Sequence, residues 1–311
     1  MRRAAHWCAL FAVALLALTA CSNADADRDG VVVTTNILGD LTRAIAGDAV
    51  EVTVLMPANA DPHFFALSAQ QAARLERASL IVYNGLGLEE SVLRNIEAAE
   101  RSGVAGVSVG AAIDPIDYST DDADGRPDPH FWTDPRRVRK AVEVIRDRII
   151  EQVDGDDAAT VRAGADRYLA ELDRLDRWMT EQFATIPAER RKLVTNHHVF
   201  GYLAQRFGFE VVGAVIPGGT TLAAPSPSDL SALAGAIRAA GVGAIFADSS
   251  QPDRLARVLA EQAGVHVQVI SLYSESLTEP GGGAGTYLEM MRANTESIVR
   301  GLAAAQHPNT R

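Results

Sequence analysis

From Asp157 to Phe183 little in the chain would stop a helix: there is no glycine after Gly164 and no proline until Pro187. Leu169, Leu172, Leu175, Met179 and Phe183 recur at three- and four-residue spacing, which lines one helical face with apolar side chains. Glu171, Asp173, Arg174, Asp176, Arg177 and Glu181 fill the gaps as a solvated, charged face. The pattern predicts one long rigid helix over about residues 154–186, of a length that suits a connector between two lobes. The plainer alternative is a long helix packed inside a single domain.

On both sides of that stretch, short β-branched runs alternate with amphipathic segments, as βα units around parallel sheets do. Before it, strands are expected at Val31–Thr35, Val50–Leu55, Leu80–Tyr83 and near Val107, with helices at Ile37–Ala46, Ser68–Arg77 and Glu89–Ala98. Another helix starts at Asp134-Pro135, where the missing proline N–H costs nothing in the first turn. After it, strands are expected at Lys192–Thr195, Glu210–Val215, Ala244–Ala247 and Val267–Ile270. Helices follow at Phe200–Phe207, Ser228–Ala240 with Ser228 as N-cap, Pro252–Ala263 and Tyr287–Ala305. The expected fold is α/β: two lobes, 31–153 and 187–311, each a mostly parallel sheet flanked by helices. Roughly 280 residues at 47% hydrophobic content suffice for two lobes, each with its own core.

The first residues point to export. Arg2 and Arg3 precede an apolar run, Ala9 to Leu18, too short to span a bilayer, which takes about 20 residues, but right for a signal peptide. Leu18-Thr19-Ala20-Cys21 resembles the lipobox of bacterial lipoproteins, which implies a signal peptide over 1–20 and a lipidated Cys21 opening a polar tether over 21–30. The chain's other cysteine, Cys8, would leave with the leader, so the folded part has neither disulfide nor thiolate ligand. Any metal site must use imidazole and carboxylate. The formal charge of −11, more negative still without Arg2 and Arg3, argues against nucleic acid and against a polybasic membrane surface.

Four of the seven histidines fall in three motifs placed just after expected strands or in loops. Asp61-Pro62-His63-Phe64 and Asp128-Pro129-His130-Phe131 echo each other. Proline fixes its own φ and extends the residue before it, so each histidine sits on a stiff loop with a carboxylate close by. Asp61 and Asp128 could each take the second ring N–H of a metal-bound imidazole and fix its orientation. The third motif, Thr195-Asn196-His197-His198-Val199-Phe200-Gly201-Tyr202, leaves a strand and opens a helix. His266 reads as an ordinary strand-end residue, His307 as part of a frayed terminus, and Trp132 as packing that seats the His130 loop. Pro217-Gly218-Gly219-Thr220 lacks the ending of a phosphate loop and reads as a lobe-surface loop.

These segments, with the block Asp128-Pro129-His130-Phe131-Trp132-Thr133-Asp134-Pro135, resemble the signature segments of TroA/ZnuA-type (cluster A-I) solute-binding proteins of zinc and manganese ABC importers. The nearest likeness is to AztC-like zinc-binding lipoproteins, and it runs through nearly the whole mature chain in order. The resemblance implies His63, His130 and His197 as the first three metal ligands, with His198 as a neighbour or substitute. It places Glu275, in Tyr273-Ser274-Glu275-Ser276-Leu277, where relatives carry the aspartate that is the fourth ligand; Asp248 is the alternative. An acidic loop over Asp114–Asp128 lies where the family has a His-rich one.

Three imidazoles and one carboxylate suit four-coordinate Zn²⁺; Mn²⁺ prefers more oxygen ligands and is the second choice. The resemblance implies two metal-binding lobes and an ABC permease with its ATPase subunit as partners, with a zinc metallochaperone as a further candidate. It also implies a monomer, lipid-anchored on the outer face of the cell membrane, and no enzymatic activity. The reading from another class is a secreted zinc hydrolase with an open fourth position and Glu275 or Asp248 as general base. Against it, no His-Glu-x-x-His pattern is present and no cysteine remains to act as nucleophile.

Overall fold

The computed structural model describes residues 29–118, 125–264 and 267–303; Cys21, the leader, His266, His307 and the centre of the acidic loop lie outside them. Two four-stranded sheets, parallel throughout, form the two lobes. The first runs β2-β1-β3-β4, from β1 (Asp29–Val33), β2 (Val52–Val54), β3 (Ala78–Tyr83) and β4 (Ala105–Ser108). The second runs β6-β5-β7-β8, from β5 (Lys192–Thr195), β6 (Glu210–Ala214), β7 (Ala244–Asp248) and β8 (Gln268–Leu272). Around the first pack α1 (Asn36–Ala46), α2 (Ala69–Arg77), α3 (Glu90–Arg101) and α4 (Pro135–Ile150). Around the second pack α6 (Gly201–Phe207), α7 (Pro227–Ala240), α8 (Arg254–Ala263) and α9 (Tyr287–Ala303). Between the two sets runs α5, Gly155–Ala184.

The local rules act where the sequence invites them. Ser68 accepts the Gln71 N–H while the Gln71 side chain returns to the Ser68 N–H, so a complete capping box starts α2. Asp134 caps α4, with Pro135 in its first turn. The start of α7 differs from expectation. Ser226, not Ser228, is the N-cap, and it forms the box with Asp229 while Pro227 takes the first helical position. Proline's fixed φ suits the first helical position, and with Pro227 there the cap falls on Ser226 and Ser228 lies inside the helix.

The two lobes do not have fully separate cores, contrary to expectation. Val31, Val33, Leu80 and Val82 of the first sheet belong to the same buried cluster as Leu193, Ala244 and Phe246 of the second. The alternate residues face outward: Val32 and Ile81 under α2 and α3, and Val194, Ile245 and Ala247 under α7 and α8. The cause is α5, whose stripe from Val161 through Leu169, Leu172, Leu175 and Met179 to Phe183 is buried against elements of both lobes. Phe183 meets Phe207 and Phe209 edge-on, with ring centroids 4.9 and 5.0 Å away. Where α5 crosses α1, a Cβ on Gly164 would come 2.3 Å from the Ile45 carbonyl oxygen, and backbone cannot step aside. Gly164→Ala should therefore lower unfolding free energy by about 1–3 kcal/mol, read from urea melts, despite alanine's better helix propensity.

Candidate metal centre

Every sequence-derived ligand lies beyond the carboxyl end of a strand, the edge at which open parallel sheets hold their ligands. His63 sits on a turn after β2, and His130 ends the loop from β4 to α4. His197 lies between β5 and α6, and Glu275 follows β8. The two lobes thus contribute two residues each. One ligand atom from each of the four comes within 4.8 Å of all the others. His130 Nε2 is 3.4 Å from His63 Nε2 and 3.6 Å from Glu275 Oε1; His197 Nε2 is 2.9 Å from the same Oε1, and His63 Nε2 is 3.9 Å from Oε2. Ligand atoms on a tetrahedral shell with bonds of ~2.0–2.1 Å stand about 3.3 Å apart, so these separations bracket the right spacing.

The group is nearly sealed, with exposures of 6% for His63, 0% for His130 and His197, and 1% for Glu275. Both carboxylate oxygens of Glu275 and both ring nitrogens of His197 are buried without a directed hydrogen bond, even though one pair is close. Buried polar atoms left unpaired are costly, and a cation in the cluster would satisfy His197 Nε2 and the Glu275 carboxylate together.

Burial dominates the electrostatics. It drives the His63 pKa down to about 2, helped by His130 and His197, and holds His130 well below the ordinary value, so both rings are neutral donors. Burial pushes Glu275 up to about 7, against the pull of His197. Burial also opposes the charge on His197, but the Glu275 carboxylate more than offsets it and raises that pKa. The two therefore share a proton.

The surrounding residues each have a separate task. Asp128 Oδ1 takes both the backbone N–H and Nδ1 of His130, at 2.9 and 2.8 Å, leaving Nε2 toward the cluster. Asp128 is itself pushed up to about 7 by burial, and the Tyr202 hydroxyl donates to its carbonyl at 2.7 Å. Asp61 does not reach an imidazole; it takes the His63 backbone N–H at 2.8 Å. Asp248 lies behind the cluster, its carboxylate holding the Ser274 amide and hydroxyl on one side and Ser250 on the other. His198 lies off to the side, in a small recess with Asp128, Tyr118 and Phe200. Trp132 does more than pack: its indole N–H donates to the Ser274 carbonyl at 2.9 Å, clamping the Glu275 segment onto the first lobe. Asn36 joins in, donating to Ser276 Oγ at 2.7 Å and accepting the Leu277 N–H at 3.0 Å. Neither contact has a signal in the sequence, because its partners lie 142 and about 240 residues apart.

The family model for the periplasmic zinc-uptake complex component A, ZnuA, matches residues 31–301. The chain belongs to the ZnuA family. Among its relatives, the zinc-binding protein TroA of Treponema pallidum is 33% identical over 90% of this chain and 91% of its own. The manganese-binding lipoprotein MntA of Halalkalibacterium halodurans is 31% identical over 95% and 98%. The solved structure of the Treponema periplasmic zinc-binding protein superposes with a TM-score of 0.80 at 30% identity, covering 88% of this chain and 98% of that one. The ZnuA family thus includes proteins named for either metal, and its fold of two parallel-sheet lobes is the one described above.

Proposed function

We propose that this ZnuA-family chain is the extracytoplasmic solute-binding lipoprotein of an ABC importer, capturing Zn²⁺ between lobes 31–153 and 187–311 and passing it to the permease and its ATPase. The convergence of His63, His130, His197 and Glu275 in a nearly sealed pocket carries the proposal. Three nitrogen donors and one carboxylate favour Zn²⁺ over Mn²⁺, which asks for more oxygen and falls lower in the Irving–Williams order. Within the family we read the chain as AztC-like from the resemblance of its signature segments, a reading that also brings in a zinc metallochaperone as a donor. Cys21 carries the lipid, the tether runs from it to the start of β1 at Asp29, and the monomer works at the outer face of the cell membrane; α5 limits hinge motion between the lobes.

A carrier fits better than a hydrolase. Four protein ligands close the shell and leave no position for a reactive water. The chain does contain one Gly-x-Ser-x-Gly string, Gly106-Val107-Ser108-Val109-Gly110. It is no nucleophile elbow, however: β4 passes into a 3₁₀ turn at Gly110–Ala112 instead of a helix, and the Ser108 hydroxyl packs against Gly85.

Protein purified from medium with equal zinc and manganese should carry one Zn²⁺ per chain. Zinc at a thousand times its Kd should add about 4 kcal/mol to stability, seen as a rise in Tm. Manganese at equal or greater occupancy would overturn the choice of metal.

A further inference from the structure

His63 borders open space that the other three do not. Asp128 grips the His130 ring, and the His197 carbonyl takes the Thr195 hydroxyl at 2.7 Å and the Val199 N–H at 2.9 Å. The Glu275 segment is strapped down by Trp132, Asp248 and Asn36. Like His197, His63 has no protein group hydrogen-bonded to its second ring nitrogen among the described residues, and it depends on its turn for position. It alone of the four lines a cavity of about 310 Å³, whose far wall includes Tyr118, Gly219, Thr220 and Leu222. This is the open side of the centre.

One carboxylate fastens that turn. Asp61 Oδ1 takes the His63 N–H, while its Oδ2 takes the Thr221 hydroxyl at 2.7 Å and the Gln251 amide at 3.0 Å. Asp61 belongs to the first lobe; Thr221 and Gln251 come from two separate loops of the second, and both Asp61 and Thr221 are buried. The loop that carries Thr221 is also pinned at Gly219, whose carbonyl takes the Tyr118 hydroxyl at 2.9 Å. The Pro217–Thr220 segment, a plain surface loop by sequence, therefore closes over the cavity beside His63.

We propose that Asp61 is a latch between the lobes: His63 is the first ligand to let go of the metal, and Thr221 and Gln251, which reach no ligand atom of the centre, set how fast it does so. The latch rests on the reading of the four residues as zinc ligands. Thr221 and Gln251 are positioning residues, because they act on the metal only through Asp61 and the His63 turn. Breaking either bond should loosen the turn and speed release, while His130, His197 and Glu275 keep their braces.

The test is the rate at which the zinc-loaded full chain gives up Zn²⁺ to an excess of a chromophoric chelator. Thr221→Val and Gln251→Leu should each release about tenfold faster than the parent, since each removes a hydrogen bond to a charged group. Thr221→Ser keeps the hydroxyl and should release at the parental rate with the parental metal-free Tm, whereas the metal-free Val and Leu variants should still unfold cooperatively, at a Tm lowered by the lost bond. Because the two loops are separate, a folding defect in one variant leaves the other to decide. Parental rates in both Val and Leu variants would overturn the latch, as would equal acceleration by Thr221→Val and Thr221→Ser, which would mean lost packing instead of a lost bond. A parent that holds no zinc sinks the carrier reading and the latch together; a parent that holds it beside unaltered variants sinks the latch alone.

Discussion

Replacing Glu275 with glutamine should weaken zinc binding by about two to four powers of ten while leaving the metal-free fold intact. The substitution keeps the shape and removes the single anionic ligand. Zinc would then sit among three neutral imidazoles in a pocket where Glu275 is only 1% exposed, with no charge in the shell to offset its own. Removing one partner of a buried charge pair costs about 3–5 kcal/mol, which is the range of affinity given. Asp248→Asn makes the contrast. Asp248 touches Ser274 and Ser250, so its loss disturbs the Glu275 segment only indirectly and should cost about ten- to a hundredfold. Competition titrations against a chelator of known affinity measure both variants. If Glu275→Gln binds as tightly as the parent while Asp248→Asn does not, the fourth ligand has been assigned to the wrong carboxylate.

Those two acids also show what a sequence can and cannot say here. Periodicity is local, so the strands and the long helix Gly155–Ala184 are legible from residue spacing alone. The Asp-Pro-His repeat marks His63 and His130 for the same reason. Glu275 carries no local signature and is reached only through its position in the family pattern. Which carboxylate enters the shell depends on how β7 and β8 lie side by side, with Asp248 opposite Leu272 three residues before Glu275. That register is a tertiary fact. The shared core is hidden likewise: the stripe on α5 says that the helix is buried, but not that two sheets bury it. The loop over His63 reads as plain surface because its glycines recommend it for nothing in particular, and only the Asp61–Thr221 bond shows what it does. Even the Ser226 cap turns on the choice between two serines two residues apart.

Zinc affinity should fall steeply in acid, by between one and two powers of ten per pH unit below about 7. The sign follows from which groups must lose a proton for zinc to bind. Glu275 lies at about 7 in the metal-free protein because burial disfavours its charge, and the nearby Asp248 and Asp61 push the same way. His197 shares that proton, being raised by the same carboxylate. Below pH 7 the pair holds a proton that zinc must displace, which weakens binding tenfold for each unit of pH. Asp128, also near 7 through burial, adds to the slope because a metal-bound His130 favours an ionised carboxylate on Nδ1. His63 contributes nothing in this range: with its pKa at about 2 it is already neutral, so no proton has to leave. Between pH 7 and pH 5 the loss should therefore reach at least about a hundredfold. Calorimetric titrations at pH 6 in buffers of different ionisation enthalpy count the protons released per zinc directly. One to two protons are expected. A count of zero, with affinity level from pH 7 to 5, would mean that Glu275 is ionised before zinc arrives and that burial does not govern the site.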